Sequence, residues 1–267
     1  REAFEPFTLN FWRWAVAVAA LAPIALPLVA GKAALVRRHA GLLAVLALTG
    51  VVLFQSFVYI GLRSTTAING VLLNSSGPLF ILLASWAIDR QGGTLRQVAG
   101  MLISLAGIVI IMTRGEPAKL FELEFHIGDA WVLAAMSVWG VYSVILRRLP
   151  RELAGVPSLF VICAFGVAML APAFAAEALV SPPRWPQPAA AAGVLYLGLG
   201  ASVVAFFCWN RGVSVVGAAS AGFTMHLLPA FGTVLAMIFL GERFGLFHAT
   251  GIATIVAGVI LASTRRA

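Results

Sequence analysis

Three adjacent polar residues, Asn74, Ser75 and Ser76, lie within a long apolar stretch and directly precede Gly77 and Pro78. Their amide and hydroxyl groups can donate and accept hydrogen bonds, which is the chemistry that holds a small polar solute. A proline removes one backbone donor and leaves a carbonyl about one turn earlier without its helical partner. For Pro78 that carbonyl belongs to Asn74. The pattern therefore predicts a kinked helix with several polar groups at one point.

A second polar side chain followed by a proline occurs at His226 and Pro229. Here the proline frees the carbonyl of Met225. A neutral, hydrogen-bonded histidine is the default in an apolar setting, and proton coupling is the alternative role. We expect Pro78 and Pro229 to act as hinges, with the polar groups beside them lining a cavity. The simpler alternative is that these groups only bond neighbouring helices.

The composition places these residues in a membrane. Of 267 residues, 61% are hydrophobic and 10% are charged, whereas soluble domains carry about 25% charged residues. The apolar blocks are about 20 residues long, which is the length of a helix that crosses ~30 Å of hydrocarbon. We therefore predict an all-α polytopic membrane protein. Its predicted spans are 8–30, 41–62, 66–88, 97–113, 128–146, 157–176, 189–209, 217–240 and 245–263.

Charges at the helix junctions indicate the orientation of the chain. Alternate junctions carry eleven basic residues and two acids on one side, against seven basic residues and eight acids on the other. Because positive charge marks the cytoplasmic face, we predict a cytoplasmic C-terminus in the inner membrane and an external residue 1. An external start is unusual for an unprocessed chain, so we expect a further helix before Arg1.

The two halves of the chain are similar at an offset of 151 residues. From Gly61 to Arg114 they align without a gap and with ten identities, and Ser75 pairs with His226. With five helices in each half, the second half would be inverted in the membrane relative to the first. We predict a 5+5 inverted-repeat helical bundle that lacks its first helix here. Its parts are a first repeat at 1–114, an external loop at 115–127 and a second repeat at 128–267.

Few other polar side chains lie inside the predicted spans. Such groups are costly at membrane depth, so they usually face protein or a water-filled cavity. Trp139 and Tyr142 could stack on a flat solute or simply pack. Arg13 is expected to anchor its helix at the interface, and it could bind a carboxylate only if it faced the cavity. The substrate-cavity candidates are Gln55, Tyr59, Asn74, Ser75, Ser76, Trp139, Tyr142, Ser202 and His226.

Four stretches of the chain resemble the EamA-type members of the drug/metabolite transporter superfamily. They are PFTLNFWRWAVAVAALAP at 6–23, GDAWVLAAMSVWGVYSVILRR at 128–148, LLPAFGTVLAMIFLGERF at 227–244 and ATGIATIVAGVILAS at 249–263. The LGERF turn is the most specific of these. The resemblance implies ten helices with both ends in the cytoplasm. Within that group, the chain is similar to bacterial YddG-type exporters of aromatic amino acids.

We expect a secondary transporter that moves small organic metabolites by alternating access around a central midplane cavity. The resemblance implies export of aromatic or other neutral amino acids. A multidrug or other metabolite permease of the same fold, or a structural membrane protein, is the alternative. The four histidines have no ligand spacing and the spans hold no deep carboxylate, so we expect no enzyme activity, cofactor or metal site. The expected partners are the substrate and membrane lipid, without nucleic acid.

Overall fold

A computed structural model describes residues 4–122, 124–181, 188–240 and 245–263. Within these ranges nine helices are long and apolar enough to cross a membrane, and no strand occurs, so the predicted all-α architecture is confirmed. The expectation of a helix before Arg1 stays a prediction. The spans are α1 (Pro6–Ala30), α2 (Ala40–Ser64), α3 (Ala67–Asn74 and Gly77–Asp89), α4 (Leu95–Met112), α5 (Ile127–Leu146), α6 (Val156–Val180), α7 (Ala190–Val216), α8 (Ala218–Phe239) and α9 (Leu246–Ser263).

The helix ends follow local sequence signals. Thr94 begins α4 with a capping box, in which its hydroxyl accepts from the Gln97 amide and the Gln97 side chain accepts from the Thr94 amide. The helix α7 continues to Val216 rather than ending at the predicted residue 209. The helix continues through the polar residues after 209 and through Gly212, and it ends before Gly217, which has a φ of 87°. Short helical turns at Ala33–Arg38, Pro117–Glu122 and Arg151–Leu153 lie between spans.

Four of the spans are interrupted. The helix α3 breaks at Ser75 and Ser76, directly before Pro78, and α8 narrows to a 3₁₀ turn at Thr224–His226, ahead of Pro229. Both breaks lie where the sequence predicts a kink. The helices α2 and α7 each contain a wide π-helical segment, Ala47–Leu53 and Leu197–Val204, which the sequence did not predict. The last residues of these two segments are 151 positions apart.

Contacts divide the chain into two compact units. Unit 1 comprises Arg1–Arg63 and Ile145–Val215, and unit 2 comprises Ser64–Val144 and Val216–Ala267. Unit 1 therefore holds α1, α2, α6 and α7, whereas unit 2 holds the other five helices. Each unit takes helices from both halves of the sequence, so the contact units are not the two sequence repeats.

Unit 1 is built on the packing of α1 against α6. The rings of Phe11 and Phe174 stack at a centroid distance of 4.4 Å. Glu177 accepts hydrogen bonds from the amide of Thr8 at 2.6 Å and from its hydroxyl at 2.8 Å, which satisfies donors at the start of α1. The helix α1 also packs on the π segment of α7, and α6 packs on that of α2. These two contacts correspond to each other under the 151-residue offset.

Unit 2 is centred on the close packing of α4 against α9, whose first and last residues are each 151 positions apart. A Cβ on Gly100 would lie 2.5 Å from the carbonyl oxygen of Gly258, and one on Gly107 would lie 2.7 Å from that of Gly251. Small residues of this kind let helix backbones approach in a membrane. The offset converts the first contact into the second, so the interface is self-complementary, like that of a two-fold dimer.

Candidate functional site

His226 bridges three helices in unit 2. The residue is 1% exposed, and its Nε2 lies 2.8 Å from the carbonyl oxygen of Ser75 on α3. A carbonyl can only accept, so Nε2 carries the proton of this hydrogen bond. The other ring nitrogen, Nδ1, is hydrogen-bonded to the Ser104 hydroxyl on α4. Both nitrogens are therefore used within the protein, and His226 holds the break in α8 against the break in α3.

The polar triplet on α3 divides into two kinds of side chain. Ser75 donates its hydroxyl to the carbonyl of Val71 at 2.8 Å, and Ser76 donates to that of Leu73 at 2.5 Å. Both serines thus bond back to their own helix, which commonly bends helices. Asn74 is half-buried, and its side chain makes no hydrogen bond among the described residues. Only Asn74 in this triplet keeps its polar side chain available to a solute. The carbonyl that His226 contacts is that of Ser75, one residue after the carbonyl predicted to be free.

The two aromatic candidates on α5 contact each other. Trp139 is 6% exposed and Tyr142 is fully buried, and their rings stack with centroids 5.1 Å apart and an interplanar angle of 22°. Offset stacking of this kind stabilises a pair by about 0.5–1.5 kcal/mol beyond its buried area. This stack gives the pair a packing role in α5.

Arg13 brings together two of the candidates predicted in unit 1. Its guanidinium donates from Nε to the Ser202 hydroxyl at 2.8 Å and from Nη1 to the Tyr59 hydroxyl at 2.6 Å. Arg13 is 3% exposed, and its Cζ lies 5.2 Å from the centre of the buried Trp14 ring. Gln55, one turn before Tyr59 on α2, is also buried. Sequence reasoning placed Arg13 at an interface, whereas the structure buries it.

A buried cation of this kind needs compensation. Moving an ion into a protein interior costs several kcal/mol even after relaxation. The acceptors of Arg13 are neutral hydroxyls, and Arg13 makes no ion pair with another described residue. The one sequence signal for this site is an arginine two turns inside an apolar helix, between Trp12 and Trp14.

Asn10, which the sequence did not single out, ties α1 to the π segment of α2. Its Nδ2 donates to the Val51 carbonyl at 3.1 Å and to the Ser56 hydroxyl at 3.1 Å, and the residue is fully buried. Its Oδ1 has no hydrogen-bond partner among the described residues. A π segment shifts the register of backbone bonding, and Asn10 meets one of the carbonyls in that segment.

Asp129, also not predicted as a site residue, is 1% exposed at the start of α5. Its carboxylate accepts hydrogen bonds from the Thr65 hydroxyl, from Asn69 Nδ2 at 2.9 Å and from the His126 amide at 2.9 Å. Three donors to one carboxylate replace the water it loses on burial. Asp129 thereby fixes the starts of α3 and α5 to each other.

A cavity of about 370 Å³ opens beside this network within unit 2. Its lining includes the apolar side chains of Leu72 and Met112 and the charged residues Lys119, Glu122 and Glu124. The volume lies within the range of small-molecule pockets, and the mixed charges suit a zwitterion with an apolar side chain. No group of three or more histidines, cysteines or acids that could hold a metal occurs among the described residues.

The LGERF turn extends into residues 241–244, which lie outside the described part of the chain. The predicted hinge residues can be placed. Pro78 is buried in the first turn of the second segment of α3, and Pro229 follows the 3₁₀ turn of α8.

Comparisons with known proteins agree with this architecture. The EamA-like transporter family matches residues 1–113 and 126–264. An uncharacterized transporter of Archaeoglobus fulgidus is 27% identical, over 98% of this chain and 89% of that protein. A probable terminal-alkyne amino-acid exporter of Streptantibioticus cattleyicolor is 29% identical, over 92% of this chain and 81% of that protein. The aromatic amino acid exporter YddG of Ancylobacter novellus is 27% identical, over 69% and 63% respectively.

A solved crystal structure superimposes on the chain with a TM-score of 0.74 and 25% identity, covering 98% of this chain and 88% of the other. The resemblance read from the sequence is confirmed. The family and these relatives are named as transporters or exporters, so the prediction that the protein is not an enzyme is confirmed as well. The chain belongs to the EamA-like transporter family and is a multi-pass membrane transporter.

Proposed function

We propose that this transporter exports neutral amino acids, aromatic ones among them, across the inner membrane by alternating access. Two relatives support the substrate class, since one is named as an aromatic amino acid exporter and the other as a probable exporter of terminal-alkyne amino acids. The direction of transport also follows those names. A multidrug permease of the same fold is the alternative function.

The contact between His226 and Ser75 supports an alternating-access mechanism based on two inverted repeats. The two residues are 151 positions apart, so each is the repeat equivalent of the other. In a two-fold arrangement, only residues on the axis contact their own equivalents. The same symmetry exchanges the two glycine contacts between α4 and α9, Gly100 with Gly258 and Gly107 with Gly251. This symmetry supports two repeats, 1–114 and 128–267, with 115–127 between them. Inverted repeats allow alternating access because the halves can exchange conformations around a fixed site.

We assign the solute contacts to candidates whose polar groups are not used inside the protein. Asn74 is half-buried and Gln55 is buried, and neither side chain makes a hydrogen bond among the described residues. Ser75, Ser76 and His226 instead stabilise the two helix breaks through the bonds described above. Pro78 and Pro229 are the proposed hinges, since each follows one of those breaks.

The orientation follows from charge. One predicted side of the membrane carries most of the basic residues, among them Lys32, Arg37, Arg38, Arg147 and Arg148. This excess of positive charge supports a cytoplasmic location for that side and for the C-terminus. A C-terminal fluorescent protein should fluoresce in cells, and a C-terminal alkaline phosphatase should be inactive. The reverse pair of results would refute the assigned orientation.

Counterflow in proteoliposomes tests the function. Vesicles are loaded with unlabelled phenylalanine, leucine or ethidium, and uptake of external labelled amino acid is measured. Uptake should occur into the vesicles that contain phenylalanine or leucine and not into those that contain ethidium. Empty vesicles provide the background. Uptake of external ethidium, followed by its fluorescence, into vesicles that take up no labelled amino acid would identify a multidrug permease. No exchange above background for any solute by folded protein would refute the transporter assignment.

A further inference from the structure

Among the described residues of unit 1, the Arg13 guanidinium makes no ion pair with an acid. Arg13 is 3% exposed, and all of its hydrogen bonds run to the hydroxyls of Tyr59 and Ser202. Glu177, an acid on the helix that packs against α1, is bonded instead to Thr8 and Phe7 at the start of α1. The site is therefore positively charged, and an anion would neutralise it.

The guanidinium still has donors to offer. It carries five N–H groups, of which one on Nε and one on Nη1 are used. The remaining N–H of Nη1 and both of Nη2 make no hydrogen bond in the described part of the chain. Two parallel N–H groups on Nη1 and Nη2 form the fork that binds a carboxylate with two hydrogen bonds. Tyr59 and Ser202 fix the plane of that fork from its other edges.

The surroundings of the fork are aromatic. The Arg13 Cζ lies 5.2 Å from the Trp14 ring centre and 6.0 Å from that of Tyr59. Trp14 in turn meets Phe206 edge to face, at a centroid distance of 4.8 Å. Ring faces stabilise a cation without neutralising it. The two rings therefore position the guanidinium and leave its positive charge available to an anion.

The other half of the chain shows that the fold does not need this charge. Under the 151-residue offset, Arg13 corresponds to Ala164 and Ser202 to Val51. Val51 lies in the π segment of α2 and contacts Gly166 of α6, just as α1 meets the π segment of α7. The same packing is therefore made with apolar side chains in one half and with an arginine and a serine in the other. A buried charge inside a membrane-spanning helix that packing does not require marks a functional position.

We propose that Arg13, oriented by Tyr59 and Ser202, is the carboxylate-binding subsite of the transporter, and that its solutes carry a free carboxylate. This inference rests on the proposed function and deepens it. A guanidinium at this place repels organic cations, so it favours amino acids over cationic drugs. One arginine also suits a single carboxylate.

Binding to purified protein in detergent tests this subsite separately from transport. The melting temperature is followed against a panel of neutral amino acids, and against 2-phenylethylamine, which is phenylalanine without its carboxylate. At least one amino acid should stabilise the protein, and the amine should not. Arg13→Gln should weaken amino acid binding by at least about tenfold, because the carboxylate then loses its charged partner. Arg13→Lys keeps the charge but loses the fork, so its affinity for amino acids should lie between that of the wild type and that of Arg13→Gln.

Arg63→Gln is the matched control, since Arg63 is an exposed arginine paired with Glu5 at 2.5 Å. It should bind as the wild type does. The proposal is overturned if the amine binds as well as the amino acids, if Arg13→Gln binds as the wild type does, or if no amino acid binds. Binding without counterflow would refute the transport assignment alone. Amino acid counterflow with an unchanged KM in Arg13→Gln would refute the subsite alone.

Discussion

His226 donates a hydrogen bond from Nε2 to the carbonyl oxygen of Ser75, its own equivalent in the other half of the chain, across 2.8 Å. The contact joins the broken part of α8 to the broken part of α3. The Ser75 carbonyl lies at the break in α3, where it would otherwise have no donor in an apolar interior. The imidazole supplies that donor, so the histidine stabilises the interruption that the proline creates.

The first prediction concerns this bond. His226→Ala should lower the free energy of unfolding by about 1–3 kcal/mol, because the Ser75 carbonyl is left buried without a partner. Transport should fall together with stability. Thermal unfolding in detergent measures the first, and counterflow measures the second. The control is His39→Ala, since His39 lies at a helix junction and is half-buried, and its side chain is hydrogen-bonded to the Leu35 carbonyl one turn earlier. A normal melting temperature with transport lost would instead assign His226 to the solute.

The second prediction concerns the packing of α4 on α9. Gly107→Leu should destabilise unit 2 by about 3 kcal/mol or more, because its side chain would meet the backbone of Gly251. Gly193→Leu is the matched change, since nothing lies within 4 Å of a Cβ at Gly193. Expression and melting temperature of the two variants in detergent give the comparison. Equal melting temperatures would show that α4 and α9 are not closely packed.

The spans were predictable because hydrocarbon thickness fixes their length and a proline or glycine ends or kinks them. The 151-residue offset also made Ser75 and His226 repeat equivalents, although it did not predict the hydrogen bond between them. The π segments were not predictable, since their register is set by what packs on them. Asn10, for instance, bonds the Val51 carbonyl from another helix.

The site of Arg13 was missed for a related reason. Its position near a helix end is compatible with an arginine that reaches the interface. Only tertiary structure shows that Tyr59 and Ser202, from two other helices, enclose its guanidinium. Likewise Asp129 looked like a junction acid, and its burial depends on Thr65 and Asn69, which are about 60 residues away in sequence.

The third prediction concerns Asp129. Asp129→Asn should destabilise the starts of α3 and α5 by about 1.5–3 kcal/mol, because an amide loses the charge to which Thr65 and Asn69 donate. Hydrogen exchange of the amides near His126 and the melting temperature are the measurements. Glu116→Gln, an exposed acid of the same loop, should leave both unchanged. Exchange rates unaltered by Asp129→Asn would contradict the role assigned to the network.

The fourth prediction separates the polar residues of α3. Asn74→Ala should raise KM for amino acid exchange about two- to tenfold, as expected for one lost hydrogen bond to a solute. Stability should be unchanged, since the Asn74 side chain bonds nothing in the described part of the protein. Ser76→Ala removes only a bond to Leu73 within the same helix, and KM should stay as in the wild type. A KM unaffected by Asn74→Ala would remove that residue from the solute contacts.

The fifth prediction concerns the hydroxyls that orient Arg13. Tyr59→Phe and Ser202→Ala each remove one acceptor and leave the guanidinium in place, so each should raise KM about threefold to tenfold with little change in the maximal rate. Because both hydroxyls hold the same fork, their effects should not add in the double variant. Kinetics of counterflow across a range of amino acid concentrations give the two parameters. If the single variants lowered only the maximal rate, or if their effects on KM were strictly additive, the hydroxyls would act independently of Arg13. In the absence of Arg13, as in Arg13→Gln, Tyr59→Phe should change KM no further, since a positioning residue has no effect once the group it positions is gone.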